Sequence, residues 1–138
     1  MHTRELKHLA YAYIIVLADK KGNPKSVVSR GSGILSKEQA QTCVAGEIFA
    51  LALALKNLPK GSLVVAHSDI AQIRNIAKDK SPYNQGLKSV IKFLKRASKN
   101  LYCKFSYEKR RHRNFYYHEC HRKAKRLAKT YAWTPRNP

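Results

Sequence analysis

Between Val44 and Asp69 the chain reads VAGEIFALALALKNLPKGSLVVAHSD, and this stretch leaves few folds open. Val44 to Leu58 is almost all Ala, Leu, Ile and Phe, strong helix formers interrupted by a single acid, Glu47. Pro59-Lys60-Gly61 then breaks the helix, as a Gly/Pro pair beyond the last periodic residue does. Leu63-Val64-Val65-Ala66 is a short continuous apolar run, the pattern of a strand buried on both faces. An apolar helix followed at once by such a strand calls for a sheet with helices packed on it. The strand ends in His67-Ser68-Asp69.

Acids are scarce enough for their positions to matter. A buried charge needs a compensating partner. Glu47 either points out at the helix's polar edge or faces a partner within a site. Asp69 suits two roles that do not exclude each other: N-cap of a helix over residues 70–78, or a site carboxylate at the end of a buried strand.

The chain has 138 residues, enough for one domain with a real core, expected over about 11–132 with a loose tail at 133–138. Its 28 Lys+Arg against 8 Asp+Glu give a net charge of +20. An excess of this size implies a polyanionic partner, nucleic acid first among them. A membrane partner is not expected, because no segment is a basic amphipathic anchor and no apolar run approaches ~18–20 residues. The N-terminal sequence does not read as a signal peptide, since Tyr11 and Tyr13 alternate with small residues and lead into a turn. Three widely spaced cysteines, Cys43, Cys103 and Cys120, read as free thiols in the cytoplasm or another reducing intracellular compartment.

In chain order, residues 11–17 are aromatic and β-branched and predict a strand. Asp19 to Pro24 supplies turn chemistry, and residues 26–34 follow as the antiparallel partner. After the central helix and strand comes a short helix with Ile70, Ile73 and Ile76 at helical spacing, then a break at Ser81-Pro82. Leu87, Val90, Ile91 and Leu94 recur at helical intervals opposite Lys88, Lys92, Lys95 and Arg96. Residues 101–107 alternate as a strand, and a last helix is expected from about His118 to Tyr131. The order is hairpin, helix, strand, helix, helix, strand, helix: an α/β chain with a mixed β-sheet flanked by helices.

That order, with Glu47 in GEIFALALAL and Asp69 closing VVAHSD, resembles the ribonuclease H-like superfamily of the ribonuclease HI type. HECHRKAKRLA, residues 118–128, has the frame of that family's last helix. The resemblance spans roughly residues 11–132 and rests on order and spacing rather than on one motif. It implies four carboxylates holding two Mg²⁺ or Mn²⁺ ions about 4 Å apart, which activate water and stabilise the leaving oxygen in phosphodiester cleavage. Glu47 and Asp69 match two of the four, as catalytic residues and metal ligands. The family's first acid lies on a strand ahead of the hairpin, and no residue before Tyr11 clearly replaces it: Glu5 sits in a polar context, and Asp19 in a turn. Lys125 occupies the last helix's acid position. His121, one turn earlier, and Glu119 are candidate supplementary ligands.

From Lys99 to Arg126 positive charge is interleaved with Tyr102, Phe105, Tyr107, Phe115, Tyr116 and Tyr117. Arg110, Arg111 and Arg113, flanking His112, repel one another unless an anion is close, and together with Arg122 and Lys125 they are expected to contact phosphates. Lys92, Lys95 and Arg96 offer a second contact surface. Phe105 and Tyr107 are expected in the core. His112, His118, Cys120 and His121, with Cys103, are zinc-ligand types in no finger spacing, and the histidines fit phosphate or base contacts better.

Two functional readings follow. One is a ribonuclease H-like protein that binds RNA, DNA or their hybrid, with catalysis reduced or lost and Lys125 paired to Glu47 and Asp69 in place of a metal. The other is a divalent-metal ribonuclease acting on the RNA strand of RNA–DNA hybrids. The absent strand also predicts an open sheet edge, filled by residues 1–10, a second copy or a protein partner.

Overall fold

A computed structural model describes residues 9–36, 39, 42–78, 87–107 and 115–133. Strands β1 (Leu9–Ala18) and β2 (Pro24–Leu35) form the antiparallel hairpin. Its turn is built by Asp19, whose Oδ1 accepts the backbone N–H of Lys21 and of Asn23, each at 2.9 Å, while Gly22 takes φ 84°. Asp19 is thereby a turn anchor and no site acid. Tyr13 and Tyr11 lie opposite Gly31 and Gly33 in the register, and their rings cover those glycines. A Cβ built on Gly31 would fall within the Tyr13 ring, which is why glycine stands there.

Helix α1 (Cys43–Lys56) is capped by Thr42, whose Oγ1 accepts the Ala45 N–H at 3.1 Å. Beyond the break, where Gly61 takes φ 85°, β3 (Leu63–Ser68) pairs parallel with β4 (Tyr102–Tyr107). Short α2 (Ile73–Ala77) and α3 (Lys88–Ser98) lie between them in sequence, and α4 (Phe115–Trp133) follows β4, beginning three residues before His118.

The architecture is α/β, with strands flanked by helices in the expected order. Among the described residues the strands form two separate two-stranded sheets, β1–β2 antiparallel and β3–β4 parallel, and no described strand joins them into the single mixed sheet expected. A shared helical layer holds them together. Ile48, Ala52 and Leu55 of α1 and Val90, Ile91 and Leu94 of α3 are buried in one core, against which Leu9 and Tyr11 of the hairpin and Val64, Cys103 and Phe105 of the parallel pair also pack. Phe49 makes edge-on contact with Tyr11 and Phe93, at ring-centroid distances of 6.1 and 5.3 Å. The hairpin's other face is covered by α4, which packs on β1 and β2.

The strand Leu63–Ala66 differs from its expectation. Val64 is half-buried and Ala66 buried, but Leu63 and Val65 are 86% and 53% exposed. Only one face of β3 is in the core, because α4 lies over the hairpin. The apolar run concealed an alternation that local pattern does not distinguish from full burial.

Candidate nucleic-acid interface

Glu47 lies in the first turns of α1, among the helix's buried positions Ala45, Gly46 and Ile48, and is itself half-buried. Asp69 follows β3 directly and is also half-buried. Both are engaged in polar interactions. Asp69 does not cap α2, whose N-cap position is Gln72; the turn after β3 is instead closed by Ser68, whose Oγ accepts the Ile70 N–H at 3.1 Å.

Glu119 is committed elsewhere. Both its carboxylate oxygens accept from Arg30 of β2, Oε2 from Nε at 2.8 Å and Oε1 from Nη2 at 3.4 Å. That guanidinium hydrogen bond holds the Glu119 carboxyl below its ordinary range. This removes Glu119 as a supplementary ligand and makes it a tie between α4 and the hairpin. Lys125 is exposed and makes no ion pair among the described residues, so the expected pairing with Glu47 and Asp69 does not form there. His121 is exposed on α4. Among the described residues no three His, Cys, Asp or Glu side chains come together as a metal-holding group. The described residues alone do not fit a two-metal centre, since Mg²⁺ needs several converging oxygen ligands.

The cysteines are free thiols. Burial pushes Cys103 and Cys120 up to about 11, so both are protonated near neutral pH, unlike the thiolates zinc prefers.

The basic residues fall where phosphate could reach them. On α3, Lys88, Lys92, Lys95 and Arg96 are exposed, while Val90, Ile91 and Leu94 turn into the core. On α4, Arg122, Lys123, Lys125 and Arg126 are exposed. Arg110, Arg111 and Arg113, with His112, lie outside the described residues. No described helix is long and apolar enough to cross a membrane.

Tyr102 and Phe105 lie on opposite faces of β4 by parity, whereas Tyr107 shares the parity of Phe105 and is the last residue of the strand. Phe105 packs against the core as expected, while Tyr107 is 40% exposed and Tyr102 71% exposed. For Tyr102 the sequence carried this signal. Tyr102 and Lys104 share parity in LYCKFSY, and a strand face bearing lysine is ordinarily a solvent face. The Arg30–Glu119 contact had no sequence signal, because its partners are 89 residues apart.

Comparison with known proteins gives one kind of match. No family model matches the sequence, and no curated protein matches it. Among solved structures, the fold is similar to the solution structure of the PFV RNase H domain, with a TM-score of 0.47 and 15% sequence identity over 92% of this chain and 94% of that domain.

Proposed function

We propose that the protein binds nucleic acid through exposed basic faces of α3 and α4, with catalysis reduced or lost. The observation that carries the reading is the arrangement of charge. A chain of net charge +20 places Lys88, Lys92, Lys95 and Arg96 along the side of α3 that faces away from the core. Cations held on a rigid helix exchange condensed counterions for protein contacts when they meet a phosphate backbone, which makes binding strong at low salt and steeply salt-dependent. The reading of reduced catalysis draws on Lys125, which stands where the resemblance puts an acid and cannot ligate Mg²⁺ at neutral pH.

Fluorescence anisotropy with labelled duplex DNA, RNA–DNA hybrid and single-stranded RNA, across a salt series, tests the binding. Changing Lys92, Lys95 and Arg96 together to Gln is expected to weaken binding to every probe. The slope of log affinity against log salt should shrink by about 0.9 per lost phosphate contact on a duplex and about 0.7 on a single strand. Unchanged affinity and slope would place the contacts elsewhere. Incubating the hybrid with Mg²⁺, and separately with Mn²⁺, tests catalysis. Cleavage by the native protein that Glu47→Gln and Asp69→Asn both abolish would establish a metal nuclease. Binding without cleavage, unchanged in both variants, is the outcome this reading expects.

A further inference from the structure

We propose that the open face of the β3–β4 pair is a stacking platform for the bases of a single-stranded nucleic acid, with Tyr102 as the stacking ring and Lys104, Lys60 and Lys99 as its phosphate contacts. This rests on the nucleic-acid reading above and adds to it a place, a strand state and a mode of contact. Tyr102 and Lys104 alternate with the core-facing Cys103 and Phe105, so both belong to the outer face of β4. Leu63 and Val65 lie directly across from them in the register. Tyr102, Leu63 and Val65 are 71%, 86% and 53% exposed, and Lys104 is exposed beside them.

The surroundings decide what such a face accepts. Lys60 and Lys99 occupy the two turns that lead into β3 and β4, and both are exposed. Those turns are tied to each other, Gly61 N–H to Asn100 O at 2.7 Å and Tyr102 N–H to Ser62 O at 2.9 Å, so the lysines flank the end of the sheet that carries Tyr102. Neither β3 nor β4 contains an acid, and neither do the residues of these turns. An apolar floor with one aromatic ring, with lysines and no acid in its strands or in the turns that lead into them, complements a ligand that is flat and apolar in its rings and anionic along its backbone. A nucleobase lies on Tyr102 and against the methyl groups of Leu63 and Val65. Lys104, about 6.6 Å along the strand from Tyr102 at ~3.3 Å per residue, is placed to meet the adjoining phosphate. A second copy of this strongly basic chain would bring like charge to the same place. Bases within a duplex are already stacked, so the face selects an unpaired strand.

The test measures the full chain by anisotropy against a labelled single-stranded RNA and against an abasic strand of the same length and charge. The native protein should bind the base-containing strand more tightly. Tyr102→Ala should remove that preference and lower affinity for the base-containing strand by roughly 5- to 100-fold, whereas Tyr102→Phe should keep both. Lys104→Gln should keep the preference but reduce the salt slope by about 0.7. Equal native affinity for the two strands, with binding intact, would overturn the platform and leave the basic helices as the interface. Failure to bind either strand while duplex and hybrid probes still bind would also overturn the platform, and failure with all of these probes would overturn the nucleic-acid reading itself. Binding indifferent to Tyr102→Ala, with Tyr102 and Leu63 instead governing self-association in sedimentation, would make the face a protein interface and end the proposal.

Discussion

The two strand pairs, a long hairpin of 10- and 12-residue strands and a short parallel pair of 6-residue strands, live in different surroundings. The hairpin β1–β2 lies between two helices: Leu9 and Tyr11 pack toward the α1 layer, while α4 covers the face that carries Arg30. The parallel pair β3–β4 shares that core through Val64, Cys103 and Phe105 but leaves Leu63, Val65 and Tyr102 in solvent. Two-sided burial is the usual condition of parallel strands, whereas an antiparallel pair tolerates one wet face. Here the parallel pair keeps one wet face, while β1 of the hairpin is packed by helices and only the turn end of the hairpin, at Leu17 and Val28, stands in solvent. The covered pair serves as scaffold, and the open pair offers a surface that is costly to leave in water unless a ligand uses it.

The comparison breaks most easily in the core. Ile48→Ala, at a fully buried position of the shared core, should cost about 2–5 kcal/mol in urea unfolding. Leu63→Ala deletes similar carbon from the outer face of β3 and should stay within about 0.5 kcal/mol. Comparable losses at both positions would mean that the outer face of β3 is covered after all.

Next in size is the hairpin's own packing. Gly31→Ala places a methyl group inside the Tyr13 ring, and that ring is also positioned by Asn57, whose Nδ2 donates to the Tyr13 hydroxyl at 3.1 Å. Displacing it should cost about 1–3 kcal/mol, and Gly31→Ala combined with Tyr13→Ala should recover part of that loss. Strict additivity of the two changes would show that the ring does not cover Gly31 in solution.

The smallest effect belongs to the tie between α4 and the hairpin. The Arg30 guanidinium keeps the Glu119 carboxyl lower in the folded chain than in the unfolded one. Such a group adds stability that is fully present above its unfolded pKa, near 4.3, and is lost as pH falls through the lower folded value. Glu119→Gln should therefore destabilise slightly at neutral pH, less in high salt, and not at all once the carboxyl is protonated. Thermal unfolding of both proteins from pH 7 down to the acid range checks the sign. A gap that widens on acidification would put the effect elsewhere.

Much of the fold was legible because it is written in local pattern. The hairpin turn follows from Asp19 and Gly22, the end of α1 from Pro59 and Gly61, and the buried stripe of α3 from Leu87, Val90, Ile91 and Leu94. The exposed lysines of α3 follow from the same stripe by exclusion. The candidate site was less legible. Asp69 had the sequence context of an N-cap, but the chain takes one more turn before α2 begins at Ile73. Glu119 looked like a spare carboxylate until a strand 89 residues away supplied Arg30.

The sequence by itself determined which segments are helix and strand, where they stop, and that the surface is cationic. These properties depend on spacing, propensity and composition, all local or additive. The tertiary structure alone decided that α4 covers β1 and β2. Through that choice it decided that Leu63, Val65 and Tyr102 face water and that Arg30 meets Glu119. Burial and long-range pairing depend on which surfaces meet. A run such as Leu63-Val64-Val65-Ala66 states only that it can be buried, and the position of a distant helix settles how much of it is.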